Sequence, residues 1–252
     1  MTVEAARWQA QLRRRFDRAA PGYGDGARLQ HDSALQLLAA AAPGGRVLDV
    51  GCGSGLLARR LAADPTVTQV LALDLSHGML TVPDWQAIPS LYRVQADAAA
   101  LPLRDGCIDH LVSNFALHWC LTPQPLLREL RRVVRAGGQG VLAIPVAGSL
   151  HDDPEAGTLR PAEHWQQAAL EAGWRVRSSR LHRLQEHHPD ASAWLDALRA
   201  LGVTARPAAP AGLAGRARLQ ALRQRLEQLR APAGIPLAYT VWTAVLANPG
   251  DS

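Results

Sequence analysis

The sequence contains no lysine, since all 27 of its basic residues are arginine. A guanidinium group stays protonated and cannot form a Schiff base or act as an amine general base. The P-loop of nucleotide triphosphatases, the conserved amine of protein kinases and the pyridoxal linkage all require lysine. The absence of lysine therefore excludes these three classes of enzyme.

Cysteine is also scarce. Cys52, Cys107 and Cys120 form no CxxC pair, and their odd number argues against a disulfide framework and against a zinc cage. The nine histidines include no HExxH motif, so we expect no metal site. This cysteine usage predicts a reducing, cytoplasmic environment.

Long apolar runs are missing as well. The first 16 residues contain no uninterrupted apolar stretch, which argues against a signal peptide. Residues 231–250 carry no charge, but Pro232, Gly234 and Pro236 interrupt them, and we read this segment as a buried strand rather than a membrane span. The net charge of +5 suits an anionic partner without naming one.

Short apolar runs alternate with helical patterns along the chain. This alternation predicts an α/β fold with a Rossmann-like, doubly wound, parallel sheet of seven strands. The predicted strands are 46–50, 67–73, 91–95, 108–113, 139–146, 174–184 and 237–246. The predicted helices are 3–16, 27–42, 56–63, 125–135, 161–172, 191–201 and 216–230. We divide the chain into an N-terminal helical cap (1–44), an α/β core (45–188), a helical lid (189–233) and a final core strand (234–252).

A glycine-rich turn, GCGSG at residues 51–55, joins the first strand to a helix. Such a turn lets a ligand approach the backbone and the N–H groups at the start of the helix. A dinucleotide fingerprint would need a further glycine at position 56, where this chain has Leu56. The turn, preceded by Asp49, fits S-adenosyl-L-methionine (SAM) better, with Asp49 as an acceptor for its amino group.

Two more carboxylates stand at strand ends. Asp74 ends the second strand, where it can accept hydrogen bonds from ribose hydroxyls, and Asp97 follows the third, where it can accept from an adenine amino group. Each alone could equally be a helix cap or a turn aspartate. Three carboxylates at successive strand ends favour a nucleoside-containing ligand.

The segments VLDVGCGSG, ALDLSHGML, ADAAALPL and LRELRRVVRAGG resemble the successive motifs of class I methyltransferases over residues 46–146. The resemblance implies SAM as cofactor, and we expect neither a metal nor a general base. The cofactor-binding residues it implies are Asp49, Gly51, Cys52, Gly53, Gly55, Asp74, Leu75, Asp97, Ala98 and Asn114.

A narrower resemblance involves both ends of the chain. RRFDRAAPGYGDGARLQ, LPLRDGCIDHLVSNFALHWC, GSL at 148–150 and ALGVTARPAAPAGLAGRARL are similar to the malonyl-acyl carrier protein O-methyltransferases of biotin synthesis, the BioC family. The resemblance implies methylation of the free carboxylate of a malonyl thioester carried on acyl carrier protein or on coenzyme A, an early step of pimeloyl synthesis. It places Tyr23 as a cover over the site, and His118 is a further substrate candidate. We expect Arg216, which begins the second lid helix beside residues 212–215, to meet the malonyl carboxylate or the carrier's phosphate, and Arg223 and Arg225, further along that helix, to contact the carrier surface. His118 replaces the more usual glutamine, and the segment 151–160 is short for the family. We expect a monomer.

Other readings remain open at this point. A methyltransferase for another small carboxylate, phenol or amine, and an inactive SAM-binding subunit, both fit the motifs. Nucleic acid is disfavoured, because SNFA at 113–116 lacks the prolines and the aromatic residue that hold a flipped base. Cys120 lacks a preceding proline and is interpreted as a packing residue rather than a nucleophile.

Overall fold

The computed structural model describes residues 3–82, 85, 87–150, 159–201 and 213–250. These residues form one mixed sheet in the strand order β3-β2-β1-β4-β5-β7-β6. The strands are Gly45–Val50 (β1), Val67–Asp74 (β2), Leu91–Gln95 (β3), Ile108–Asn114 (β4), Val134–Val146 (β5), Arg175–His188 (β6) and Ile235–Ala247 (β7). The predicted α/β class and the seven strands are confirmed.

The sheet is not wholly parallel. β7 lies between β5 and β6 and runs antiparallel to both. Alternation of strands and helices cannot distinguish the two directions, because a helical connection of this length can return a strand in either sense. The expectation of a parallel sheet is therefore wrong for β7.

Helices cover both faces of the sheet. They are Val3–Ala19 (α1), Tyr23–Gly26 (α2), Arg28–Ala41 (α3), Leu56–Ala62 (α4), His77–Leu80 (α5), Pro123–Val133 (α6), Ala162–Glu171 (α7), Ala191–Ala200 (α8) and Leu213–Gln228 (α9). Short 3₁₀ turns occupy Ala20–Gly22 and Leu117–Trp119. The helix predicted to reach Arg135 instead ends at Val133, because Val134 already pairs with Ile108 of β4.

Two apolar layers enclose the sheet, and β1 shows how they are built. Val47 packs on the side of α3 and α4, whereas Leu48 and Val50 pack on the side of α6 and α7. Burial of one such large side chain stabilises the fold by about 1.5–3 kcal/mol. Since successive strand residues alternate between faces, Asp49 points to the same side as Val47.

The helices α8 and α9 lie between β6 and β7 in the chain, where the sequence places the lid. Trp194 of α8 donates from Nε1 to the carbonyl of Pro236 at 3.0 Å, and the Ala191 amide donates to Glu227 of α9 at 2.9 Å. These bonds join both helices to the start of β7. The domain boundaries themselves stay a prediction.

No helix among the described residues is both long enough and apolar enough to cross a membrane.

Candidate active site

The glycine loop follows β1 and is held by the end of β2. The amides of Gly51 and Cys52 both donate to the Leu73 carbonyl, at 2.8 and 3.0 Å. Gly51 has φ +71°, and a Cβ there would lie 2.1 Å from the Cβ of Ala116. Only glycine fits this position, so the loop passes closely beneath the segment that follows β4.

A cavity of about 260 Å³ opens between this loop and the helices α2 and α3 of the N-terminal cap. Five of the predicted cofactor residues line it together with the substrate candidate Tyr23: Asp49, Gly51, Cys52, Gly53 and Asn114. Half of the predicted cofactor-binding residues therefore lie on one concave surface, between the strand ends and the N-terminal cap.

Three residues that line this cavity have buried hydrogen-bond acceptors without partners among the described residues. Asp49 is 1% exposed, and its Oδ2 has no hydrogen-bond partner among the described residues. The same holds for Oδ1 of Asn114 and Oε1 of Gln30. Asn114 is oriented by its own Nδ2, which donates to the Gln30 carbonyl at 2.8 Å. Three unpartnered acceptors on residues of one cavity suit a ligand that carries N–H donors or a positive charge.

The electrostatics of Asp49 support this reading. Burial, reinforced by the nearby Asp74 carboxylate, raises the pKa of Asp49 to about 8. The carboxyl group is thus easily protonated when the cavity holds no cation. A cationic ligand would favour its ionised form.

Asp74 holds the glycine loop in place, although it is not among the residues that line the cavity. Its Oδ2 accepts from the Gly53 amide at 2.9 Å, and its Oδ1 accepts from the Ser76 amide at 2.8 Å. Burial raises the pKa of Asp74 to about 6, although these backbone bonds act in the opposite direction. Each carboxylate oxygen can accept a second bond, so ribose hydroxyls can still be bound.

The rest of the predicted cofactor set lies apart from this cavity. Asp97 meets α1, because Gln9 donates from Nε2 to its Oδ2 at 2.6 Å. Leu75 packs in an apolar cluster with Trp8, Leu12, Phe16 and Trp119, and Ala98 packs against the core on the α6 side. α1 therefore lies over the strand ends that the sequence assigns to adenine.

Gly55 is the remaining cofactor candidate. It has φ +85°, and a Cβ there would come within 2.4 Å of the Trp85 ring. Trp85 is held by its Nε1, which donates to the Met79 carbonyl at 2.7 Å, and the guanidinium of Arg59 lies 6.0 Å from its ring centre. The absence of a side chain at Gly55 thus allows the Trp85 ring to pack directly against the glycine loop.

The three substrate candidates differ in how far the structure locates them. Tyr23 covers the glycine loop, with Cε1 at 3.4 Å from the place of a Cβ on Gly53, and burial and the Asp74 carboxylate raise its pKa. His118 stacks near Trp119 with ring centres 4.7 Å apart and lies outside the cavity lining. Burial lowers the pKa of His118 to about 3, which keeps the ring neutral. The side chain of Arg216, in α9, lies outside the described residues.

Sequence reasoning missed several residues of the site. Gln9, Gln30 and Arg59 come from helices whose pattern shows only an apolar stripe, and Trp85 follows a short helix that was not predicted. No motif marks these residues, because their role depends on which helix face packs against the sheet.

Comparison with known proteins identifies the family. A family model described as a methyltransferase domain matches residues 48–142. The malonyl-acyl carrier protein O-methyltransferase of Dechloromonas aromatica is 34% identical over 248 residues, covering 92% of each chain. The chain belongs to this methyltransferase family.

Two further proteins show how much of the chain the similarity covers. The biotin biosynthesis bifunctional protein BioHC of Cellvibrio japonicus is 30% identical over 268 residues, which are 98% of this chain and 52% of that protein. A solved complex of the Haloferax volcanii Trm112 methyltransferase activator with a methyltransferase contains a similar fold, with a TM-score of 0.64 at 22% identity, covering 96% of this chain and 99% of that one.

The cofactor of this methyltransferase family, SAM, fits the cavity in its chemistry. The unpartnered oxygens of Asp49, Asn114 and Gln30 match an ammonium group and a sulfonium centre. The close backbone of the glycine loop matches a ligand that must lie against the main chain. These residues would hold the amino-acid end of SAM, and Asp74 its ribose.

Proposed function

We propose that this methyltransferase transfers a methyl group from SAM to the free carboxylate of a malonyl thioester on acyl carrier protein, as an early step of biotin synthesis. The observation that carries this proposal is the 34% identity to a malonyl-acyl carrier protein O-methyltransferase across 92% of both chains. The cavity with three unpartnered acceptors supports the cofactor side of the reaction.

The residues of the site act by binding and alignment. Bound SAM supplies an electrophilic methyl group on a positively charged sulfur. Asp49 and Asn114 bind and orient the amino-acid end, and Asp74 keeps the glycine loop in place through Gly53. Tyr23 covers the loop and excludes water from it.

No residue is required as a general base. A carboxylic acid with a pKa near 4 is already ionised at pH 7, so there is no proton to remove before attack. Holding the two reacting groups in line can supply up to about 7–11 kcal/mol of the barrier. His118, being neutral, serves as a hydrogen-bonding or packing group rather than as a proton carrier.

The helical lid supplies our candidates for contact with the substrate and its carrier protein. Arg216 is our candidate for the malonyl carboxylate or the phosphate of the carrier arm. Arg223 and Arg225 are exposed on α9 and suit the surface of an acidic carrier. The protein would act as a monomer in the cytoplasm.

Intact-mass spectrometry tests this function. Malonyl-acyl carrier protein incubated with the enzyme and SAM should gain one methyl group, and acetyl-acyl carrier protein, which lacks the free carboxylate, should gain none. Absence of the added methyl on both the carrier-bound and the coenzyme A-bound malonyl group, in a preparation that binds SAM, would contradict the proposal.

A further inference from the structure

A tyrosine hydroxyl is buried on β7 without a partner. Tyr239 is 3% exposed, and its hydroxyl forms no hydrogen bond to any residue that the structure describes. A buried hydroxyl loses its bonds to water, and an unpaired one is unfavourable. Such a group needs a physical explanation, and contact with a ligand is one.

The topology places this hydroxyl at the carboxyl ends of the parallel strands. β7 runs antiparallel to β5, so that its early residues pair with the last residues of β5, as in Val146 with Thr240. The ring of Phe115, the first residue after β4, meets the Tyr239 ring edge-on with centres 5.1 Å apart. Tyr239 is therefore fixed beside the segment that begins at Asn114.

A second tyrosine connects Tyr239 to the cofactor side. Burial, and then the proximity of Tyr23 and of Glu186, raise the pKa of Tyr239. Tyr23 lines the cavity over the glycine loop. Tyr239 thus lies near both Tyr23, which lines the cofactor cavity, and Phe115, which follows β4.

Unusual backbone conformations flank the same place. Among the described residues, three that are not glycine have a positive φ, and two of them are Phe115 at 55° and Leu150 at 59°. The Leu150 amide donates to the carbonyl of Ala238, the residue before Tyr239, at 2.7 Å. Strain of this kind collects at functional sites. The two strained residues are therefore neighbours of Tyr239: Phe115 contacts its ring, and Leu150 bonds to the residue before it.

We propose that the Tyr239 hydroxyl donates a hydrogen bond to one oxygen of the carboxylate that accepts the methyl group. This role rests on the proposed function. The second carboxylate oxygen forms the new bond to the methyl carbon while the bond from that carbon to sulfur breaks, and Tyr239 keeps its proton throughout. A neutral phenol orients one oxygen of the carboxylate through a hydrogen bond and leaves the other oxygen available for the attack.

Tyr239→Phe tests the proposal, because it removes the hydroxyl and keeps the ring that contacts Phe115. We expect kcat/KM for a malonyl thioester to fall about 10- to 100-fold, the loss associated with one hydrogen bond to a charged group. The dissociation constant of SAM should change less than about twofold, since the other binding groups remain. Tyr92→Phe, which changes a half-exposed tyrosine on β3, is the matched control and should leave both quantities unchanged.

Thermal unfolding separates a ligand-facing hydroxyl from a structural one. Removing an unpartnered buried hydroxyl should leave the midpoint of unfolding of the free enzyme unchanged or raise it. A lowered midpoint with weaker SAM binding would assign the hydroxyl to the fold and overturn the proposal. An unchanged kcat/KM in Tyr239→Phe, with an active wild type, would overturn the role of Tyr239 alone. A wild type that binds SAM but does not methylate malonyl thioesters would overturn the proposed function and this role together.

Discussion

Gln9 of α1 donates a hydrogen bond of 2.6 Å from its amide Nε2 to the carboxylate Oδ2 of Asp97, just after β3. The other oxygen of Asp97 accepts from the Ala99 amide at 2.9 Å within its own turn. The amide of Gln9 thus stands where the sequence expects the adenine amino group to donate. An adenine amino group that binds to Asp97 must therefore share its carboxylate with Gln9 or displace the Gln9 amide.

Gln9→Ala should therefore speed the association of SAM and tighten its binding by about two- to tenfold, because the carboxylate no longer has to exchange partners. Stopped-flow fluorescence and calorimetric titration measure the two effects. Gln11→Ala, an exposed glutamine on the same helix, is the control. Slower or weaker binding in Gln9→Ala would instead make Gln9 part of the adenine contact.

Asp74→Ala should weaken SAM binding by about 1–3 kcal/mol, the range for leaving buried hydrogen-bonding groups unpaired. The change removes the ribose acceptor and also the partner of the Gly53 amide. Asp64→Ala provides a comparison, since Asp64 bonds only within its exposed turn, to Thr66 at 2.8 Å. Equal affinities of the two variants, measured by calorimetry, would remove Asp74 from the cofactor site.

Asp49 predicts a pH dependence for the free enzyme. Its folded pKa of about 8 lies above the ordinary value of 3.8, so the folded state binds this proton more tightly than the unfolded chain does. The resulting stabilisation is complete below pH 3.8 and is lost as the pH rises towards 8. The unfolding midpoint should thus decline over this window in the wild type, and less in Asp49→Asn.

A bound cation reverses the preference of Asp49 for its proton. Binding of SAM should release a proton below about pH 8, which calorimetry in buffers of different ionisation enthalpy detects. Asp49→Asn lacks this carboxyl proton and should release none from this position. The same proton release in both proteins would show that Asp49 does not meet the cation.

The exposed arginines of α9 predict a salt-dependent effect on the carrier substrate. Arg223→Glu/Arg225→Glu should raise the KM for malonyl-acyl carrier protein several-fold, with a smaller effect on a malonyl-pantetheine thioester. The difference should shrink with added salt, since exposed charges are screened within about 8–10 Å. Arg175→Glu/Arg177→Glu on β6 makes the same charge change on another exposed surface. Equal losses on both substrates at every ionic strength would show that the carrier docks elsewhere.

Local pattern was sufficient for the strand-turn-helix units and for the carboxylates at the strand ends. Period-two and period-3.6 apolar spacing reports the type of an element, and glycines at 51, 53 and 55 mark a turn that only they can form. Since parallel strands end on one edge, the placement of Asp49, Asp74 and Asp97 near one another follows from the sequence.

Tertiary packing alone decided the rest. Gln9 meets Asp97 across 88 positions of the chain, and Asn114 meets Gln30 across 84. The same holds for the antiparallel direction of β7, which brings Tyr239 to the edge of the sheet that carries the glycine loop. The apolar periodicity of a sequence shows which face of a helix or strand is buried. It does not show which other element that face packs against. Contacts between distant residues therefore appear only once the chain has folded.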